Sequence, residues 1–214
     1  MMHGGFGGGG FDGGGFGGGG FPPGMMGLGG FGGMGMPPAL RRPPARFDVL
    51  APGAAVMLTG LVGAADKNDE IGKIERYDDQ KGRYTVRLDE TQEAMALKPE
   101  NLVQLLKGVI LAGITSNEAL NGKSGTLVAR RGDRGPDARF VVVLASGKQT
   151  VAVKAENLLL PKGALVAIVG VLSKPHLNGK NATVVSWDAA SQRYLVQIST
   201  ADQLRLKKEN VLLV

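Results

Sequence analysis

The sequence predicts an all-β protein of three tandem, five-stranded small barrels preceded by a Gly/Phe-rich arm. Three observations lead to this prediction: a pattern that recurs three times after residue 46, short strands in which apolar and polar residues alternate, and a biased N-terminal composition. We divide the 214 residues into the arm with a Pro/Arg hinge (1–46) and three repeats (47–106, 107–161 and 162–214).

The N-terminal arm combines abundant glycine with evenly spaced phenylalanine. Of the 35 Gly residues, 20 lie in residues 1–40. A five-residue spacing of rings fits neither a helix nor a strand, and such a segment buries too little surface to offset its ordering entropy. We therefore expect a flexible tail; the alternative is that its rings act as stickers for apolar pockets of a partner. The candidate stickers are Phe6, Phe11, Phe16, Phe21 and Phe31.

The internal repeat is the strongest signal in the sequence. Each copy starts at a glycine and ends in Glu-Asn followed by an apolar residue, and the Gly-to-Asn separations are 48, 49 and 47 residues. Between these ends lie an Asn-Gly or Asn-Asp turn, a small residue before a short apolar strand, and an Arg-aromatic pair that opens another strand. The marker residues are Gly53, Gly108 and Gly163 at the starts, Asn68, Asn121 and Asn178 in the turns, Gly72, Gly125 and Ala182 at the small position, Tyr84, Phe140 and Tyr194 in the pairs, and Asn101, Asn157 and Asn210 at the ends.

Apolar residues alternate along the strand that each aromatic opens. This period of two is what a half-buried antiparallel strand requires. Each copy therefore reads as about five short strands in roughly 55 residues, with Glu-Asn in a one-turn helical link before the last strand. Because a unit of this size is near the lower limit for an independent core, we expect neighbouring copies to stack. The positions predicted to share the inner face are Tyr84, Val86 and Leu88, Phe140, Val142 and Leu144, and Tyr194, Val196 and Ile198, followed by Met95/Leu97, Val151/Val153 and Leu204/Leu206.

These motifs together resemble the SH3-like small barrel, including its KOW and Tudor-type relatives. The resemblance covers residues 47–214, and the KOW-type Gly-x-x-Gly-x-Val pattern is met by Gly122-Lys-Ser-Gly125-Thr-Leu127, with Leu in place of Val. The resemblance implies a five-stranded SH3-like barrel for each copy. Barrels of this class bind peptides, methylated residues, RNA or each other, so the fold does not fix the function.

One position differs between the copies in a way that points to binding. Seven residues before the aromatic, the first and third copies have Tyr77 and Trp187, and Arg130 occupies the matching place in the second. The position is out of phase with the inner strand residues, so we expect it to face outward or to rim the barrel. An exposed Trp187 would stack a base or hold a peptide; the alternative is a ring packed against the next repeat. Its expected basic neighbours are Lys180, Arg205 and Lys207.

A basic hairpin tip distinguishes the second copy, which has a three-residue insertion here. The tip contains Arg130, Arg131 and Arg134. Guanidinium groups match phosphate geometry, so the tip is a candidate contact for nucleic acid, although a solvated loop needs no ligand. The recurring Asn101, Asn157 and Asn210 we interpret as structural, since a short amide bonds readily to free backbone groups near a turn.

Charge is distributed unevenly along the chain. The net charge of +6 arises from about −4 in residues 47–105 and +4 in each of 106–160 and 161–214, with the remainder in the arm. An acidic first module followed by two basic ones suits an anionic partner at the C-terminal end.

The residue types that support catalysis are scarce. The chain has no Cys, only two His and no phosphate-binding glycine loop, so we expect no metal, no cofactor and no enzymatic activity. Without a long apolar run or a secretion signal, we expect a soluble intracellular protein with no membrane span. We expect a non-catalytic scaffold or adaptor subunit of a multi-subunit complex, whose barrels dock on other proteins and whose arm threads across neighbours. The alternative is an RNA- or DNA-binding protein that uses the second and third repeats.

Overall fold

The structure, a computed structural model, describes residues 45–132, 137–147 and 149–214. These residues form three five-stranded antiparallel sheets without an α-helix. The predicted fold class of three tandem five-stranded SH3-like barrels is confirmed for this part of the chain, and the Gly/Phe-rich arm lies outside it. The first barrel contains β1 (Ala55–Leu58), β2 (Ile71–Asp78), β3 (Arg83–Leu88), β4 (Ala94–Leu97) and β5 (Leu102–Gln104); the second, β6 (Leu106–Leu111), β7 (Ser124–Arg131), β8 (Arg139–Leu144), β9 (Thr150–Lys154) and β10 (Leu158–Leu159); the third, β11 (Leu165–Ile168), β12 (Asn181–Asp188), β13 (Arg193–Gln197), β14 (Gln203–Lys207) and β15 (Val211–Leu213).

All three sheets have the same strand order. In each, the first strand pairs with the second on one side and with the last on the other, and the remaining strands are added as antiparallel hairpins. A single 3-10 turn precedes each last strand, as the Glu-Asn segments predicted. A second 3-10 turn precedes each Asn turn. These short helices are Pro99–Asn101, Ala155–Asn157 and Lys208–Asn210 before the last strands, and Ala65–Lys67, Glu118–Leu120 and Pro175–Leu177 before the turns.

The Asn turns are built in the same way in each barrel. The side chain of Asn121 accepts from the N–H of Ile114 and donates to its carbonyl oxygen, both at 2.9 Å. Asn68 and Asn178 make the same pair of bonds to the residue seven positions earlier. The next residue has a positive φ in all three copies, 70°, 82° and 83°. This left-handed backbone explains why the second turn residue is Gly twice and Asp once.

The Asn residue at the end of each repeat is structural, as interpreted from the sequence. Asn101 Nδ2 donates to the carbonyl oxygens of Thr59 and Gly60, at 3.0 and 3.1 Å. Asn157 and Asn210 bind the matching loops of their own barrels. Each amide therefore fixes the loop after the first strand to the start of the last strand.

The predicted inner-face positions form the barrel cores. Val86, Val142 and Val196 are fully buried, and so are most of their strand neighbours on the same face. Ile198 lies just beyond the end of β13 and is half-buried, as are Met95, Val151 and Leu204 on the following strands. The alternation of apolar residues therefore identifies the core face correctly.

A β-bulge shifts the second strand of each barrel by one residue. It lies between Ile74 and Arg76 in the first barrel and at the matching place in the other two. One extra residue reverses the inward and outward phase of the rest of the strand. The position of Tyr77 and Trp187 is therefore in phase with the core, and of the two expected placements, outward or at the rim, the structure shows the rim. Both are half-buried at the barrel rim, directly across from the core tyrosine of the next strand.

Strand β5 joins the first barrel to the other two. Its three residues are all buried, and their side chains enter different cores: Leu102 that of the first barrel, Val103 that shared by the second and third. Gln104, only 4% exposed, is bound to the third barrel. Its Nε2 donates to the main-chain oxygens of Leu165 (2.8 Å) and Val214 (2.9 Å), and its Oε1 accepts from the N–H of Leu165 (2.8 Å).

Further contacts unite the three barrels into one block. The second and third share a continuous apolar core, and Leu165 of the third packs into the core of the first. The segment before β1 crosses to the third barrel, where Thr183 Oγ1 donates to the carbonyl oxygen of Phe47 (2.8 Å) and Asn181 Nδ2 to that of Asp48 (3.0 Å). Residues 43–214 accordingly form a single compact unit.

The fusion explains why the second barrel has Phe where the others have Tyr. The hydroxyl of Tyr84 accepts from the N–H of Leu50 at 3.0 Å, and that of Tyr194 from the N–H of Leu160 at 2.9 Å. The corresponding N–H in the second repeat, that of Leu105, instead donates to Ala55 of the first barrel at 2.9 Å. A hydroxyl on Phe140 would have no such partner.

We predict that Tyr194→Phe destabilises the protein by about 1–2 kcal/mol, since it leaves the buried N–H of Leu160 without an acceptor. The reciprocal Phe140→Tyr should bring no gain, because the N–H of Leu105 is already bonded. Burial raises the pKa of Tyr194, so its contribution is present below the ordinary tyrosine pKa of about 10 and is lost as the pH rises. Urea unfolding at pH 7 and pH 10.5 measures both effects; a gain in stability from Phe140→Tyr would contradict the explanation.

We predict that Gln104→Leu destabilises the three-barrel unit by about 2–3 kcal/mol, because the buried N–H and carbonyl groups of the third barrel lose their partners. Gln80→Leu, in an exposed turn of the first barrel, is the matched control. Chemical denaturation followed by circular dichroism measures the difference. Equal stability of the two variants would show that this side chain does not hold the barrels together.

Candidate partner-binding surfaces

The outer face of each barrel carries a row of charged residues at the same end of its sheet. In the third barrel the row runs across three strands from Asp188 to Arg193 to Lys207. In the first barrel Asp78 pairs with Arg83. Both of these rows combine an acid with basic neighbours, as is usual for directly opposed strand positions.

The second barrel has only cations in this row. Arg131 lies opposite Arg139, and Arg139 lies opposite Lys154. Lys154 has one acidic neighbour, Glu156, at 3.7 Å. No carboxylate of the described residues lies within ion-pair distance of Arg131 or Arg139, and both arginines are exposed. We call Arg131, Arg139 and Lys154 the basic row.

In the first and third barrels, the Asp of this row also accepts hydrogen bonds from the turn that follows it. Asp188 Oδ1 accepts from the N–H groups of Ala190 (3.0 Å) and Ser191 (3.3 Å). The hydroxyl of Ser191 donates to the same carboxylate, and this bond holds the pKa of Asp188 below its usual value. Asp78 caps the corresponding turn of the first barrel. Arg131 replaces this acid at the insertion of the second barrel.

Two exposed apolar side chains occupy equivalent loop tips. Val62 is 95% exposed and Leu172 is 91% exposed, each two residues after the positive-φ glycine of the loop that connects to the first strand. The second barrel has Thr115 at this position. Each tip is held by the two Asn amides described above, so these apolar groups project from an ordered loop rather than a loose one.

An open cleft of about 530 Å³ lies between the first and third barrels. Arg46 lies at its rim and is bonded to two acids. Its Nε and Nη2 donate to the two oxygens of Asp48, at 3.0 and 2.7 Å, and its Nη1 donates to both oxygens of Asp79, at 2.7 Å. These bonds raise the pKa of Arg46 and lower that of Asp48. Arg46 also lies over the ring of Tyr77, 5.6 Å from its centroid. The charges on this wall are therefore satisfied within the chain.

The structure separates several residues that the sequence placed together. The ring of Trp187 packs on that of Tyr194, with centroids 4.7 Å apart, as Tyr77 packs on Tyr84. Lys180 precedes β12 and so lies about 20 Å from Trp187, at the other end of the strand. Arg205 and Lys207 point to the outer face, opposite to the ring, because they alternate with inward-facing Leu204 and Leu206 on β14. The predicted patch of Trp187 with Lys180, Arg205 and Lys207 is therefore not formed.

The predicted arginines of the second barrel divide in the same way. Arg130 lies across from Phe140 on the inner side and lines a small cavity against the third barrel. Arg131 belongs to the exposed basic row. Arg134 lies outside the described residues, as do the arm residues Phe6, Phe11, Phe16, Phe21 and Phe31.

Sequence reasoning missed four surface residues. Arg139 reads only as the opening of a strand, and Lys154 only as part of the repeat end; the cross-strand register is needed to place them beside Arg131. Val62 and Leu172 look like ordinary loop residues. Aligning the three loops on Gly60, Gly113 and Gly170 would have revealed them as a shared apolar position.

A scan against protein-family models finds no match for the chain, and no curated protein shows significant similarity to it. Among the described residues, no group of three or more His, Asp or Glu side chains is arranged to hold a metal ion. No helix in that part of the chain is long and apolar enough to span a membrane.

Proposed function

We propose that this protein is a non-catalytic scaffold subunit of a larger assembly, in which the fused barrels dock on partner proteins and the N-terminal arm binds neighbouring subunits. The observation that carries the proposal is the union of three barrels into one block by β5 and Gln104. Independent binding modules on a string do not need shared cores, whereas a scaffold needs its docking surfaces fixed relative to one another.

The differences among the barrels support docking on more than one partner. The cores and turns repeat, but the outer rows, the loop tips and the charge of each repeat do not. In the first barrel many acids are paired within the chain, for example Asp79 with Arg46 and Glu70 with Lys67. Fixed surfaces on one rigid body raise the effective concentration of the second contact once the first has formed.

The loop tips are the best candidates for apolar docking points. Single exposed apolar residues are common on protein surfaces. Here, however, an almost fully exposed Val or Leu occurs at the same loop position in two repeats. A partner that covers both tips would gain the burial free energy of two branched aliphatic side chains.

The arm supports the proposal through its sequence alone. Five rings on a glycine string can enter successive pockets of neighbouring subunits, and the low steric demand of glycine lets such a segment follow an irregular path.

We predict that deletion of residues 1–36 releases the protein from its native assembly, because the ring contacts are lost. The measurement is sedimentation of extracts from the source cells with the tagged protein detected in each fraction. A variant with all five sticker rings changed to Ser, which keeps the length and the glycines, is the matched control for chain length and should behave like the deletion. Co-sedimentation of both variants at the wild-type position would contradict an arm that binds neighbours.

We predict that the double variant Val62→Thr/Leu172→Thr loses partner binding while its melting temperature stays within about 2 °C of the wild type, because both side chains are exposed. It copies the residue that the second barrel has at this position. Thr115→Val, which adds an apolar tip instead, is the control and should keep the wild-type sedimentation. If the double variant remains in the assembly, the loop tips are not docking points.

A further inference from the structure

We propose that the basic row of the second barrel is a binding site for the phosphodiester backbone of a nucleic acid. This function goes beyond the scaffold role, since neither the arm nor the loop tips take part in it. The site consists of Arg131 on β7, Arg139 on β8 and Lys154 on β9, which are direct neighbours across three strands.

The sister barrels show that the fold does not require this row. Both place an Asp where the second barrel has Arg131, and that acid faces the Arg that recurs at the start of the next strand. Like charges directly opposite each other across a sheet are destabilising. The third barrel also has one such pair, Arg193 opposite Lys207, but the second barrel adds a further pair, Arg131 opposite Arg139, where the other two barrels place an acid opposite an Arg. An anionic ligand that binds all three would relieve this repulsion.

The geometry of the row suits phosphates. Adjacent strands are about 4.8 Å apart, so the three side chains start along a line about 10 Å long. Arg131 and Arg139 are exposed and Lys154 is half-buried. Guanidinium groups bind phosphate oxygens in a bidentate manner, and two of the three cations are arginines. Glu156 lies beside Lys154 at 3.7 Å with 70% of its side chain exposed, so it screens only one end of the row.

The rest of this face favours contact with the backbone rather than with bases. The next positions across the same strands are Ala129, Val141 and Ala152, of which Val141 is buried, and beyond them lie Thr126, Val143 and Thr150. A sheet that stacks bases needs aromatic rings on its outer face. Binding at this face should therefore depend on charge and be independent of base sequence.

A nucleic acid fits this row better than an acidic protein segment. Exposed ion pairs between protein side chains contribute little, because both partners are well solvated. A nucleic acid carries condensed counterions, and their release makes each neutralised phosphate favourable at low salt. Residues 106–160 and 161–214 each carry a net charge of about +4, which also attracts a polyanion to this side of the chain.

The decisive variant is Arg131→Asp, because it restores the residue that the sister barrels have and should leave the melting temperature equal or higher. Its matched control is Lys123→Asp, which makes the same change of charge just before the opposite end of β7. Fluorescence anisotropy of the full chain with a labelled 20-nucleotide RNA of mixed sequence and a 20-base-pair DNA, between 50 and 300 mM KCl, gives the affinity and its salt dependence. A polyglutamate peptide is the competing acidic probe.

We expect Arg131→Asp to weaken binding at least about fivefold near 0.1 M salt and to reduce the salt slope by about one, the effect of losing one phosphate contact. The control should change the affinity by less than about twofold, and base sequence should not matter. Binding of the RNA, the DNA or both with this pattern supports the site, since the phosphodiester is common to them. Asp188→Arg builds the same row in the third barrel and should increase the affinity, although it also removes the bonds of Asp188 to the turn at Ala190 and Ser191.

Three results would overturn the proposal. The first is equal loss of affinity in Arg131→Asp and Lys123→Asp, which would reflect net charge alone. The second is binding of polyglutamate but of neither nucleic acid at 50 mM KCl, which would identify an acidic protein as the ligand. The third is unchanged affinity in an Asp188→Arg variant that is folded at the assay temperature by circular dichroism, since a row of three cations would then be insufficient.

Discussion

The side chain of Gln104 has donors and an acceptor that match backbone groups of the third barrel. The N–H and the carbonyl oxygen of Leu165 are both bonded to it, and so is the main-chain oxygen of Val214. An uncharged amide supplies two N–H donors and a carbonyl acceptor from one planar group, whereas an ionised carboxylate only accepts and an ammonium only donates. Because the group is buried, each bond also removes the cost of an unpaired polar atom. Gln104 therefore fixes the end of the first barrel to the third, together with Leu165 in the core of the first barrel and the bonds of Asn181 and Thr183 to the segment before β1.

The burial of β5 also fixes the second barrel relative to the first and third. A last strand in a small barrel normally has one face toward the core and one toward solvent, yet Leu102 and Val103 enter two different cores. The ladder continues past the end of the first barrel through the bond between Leu105 and Ala55. The residue just before the first strand of the second barrel is therefore bonded to the first barrel, and Phe140 needs no hydroxyl to accept from its N–H. One departure from the repeat pattern is thus a direct consequence of how the repeats are joined.

The repeats, the turns and the role of the terminal Asn residues were predictable because they recur and depend on local chemistry. The bulge after Ile74 was not predictable from the sequence. One inserted residue leaves the run of β-forming residues intact and only reverses which of the following side chains point inward. That reversal placed Tyr77 and Trp187 on the rim. Gln104 occurs in one copy only, and a comparison of repeats reveals what the copies share. The sequence does carry a signal for it. A continuous apolar run such as 102–106 is typical of a strand buried on both faces, and Gln104 is the polar residue inside this run.

The outer faces vary because the fold does not depend on them. A cross-strand pair of like charges costs roughly 0.2–1 kcal/mol, whereas loss of a buried aliphatic side chain costs about 2–5 kcal/mol. The second barrel therefore tolerates Arg131 at the position where the other two barrels have Asp, although this residue makes the row basic instead of neutralised. Because Gln104 and the shared core fix the three barrels to one another, a change on one face alters the ligand without moving the other faces. A repeat built in this way can acquire a different contact on each copy while its architecture stays the same.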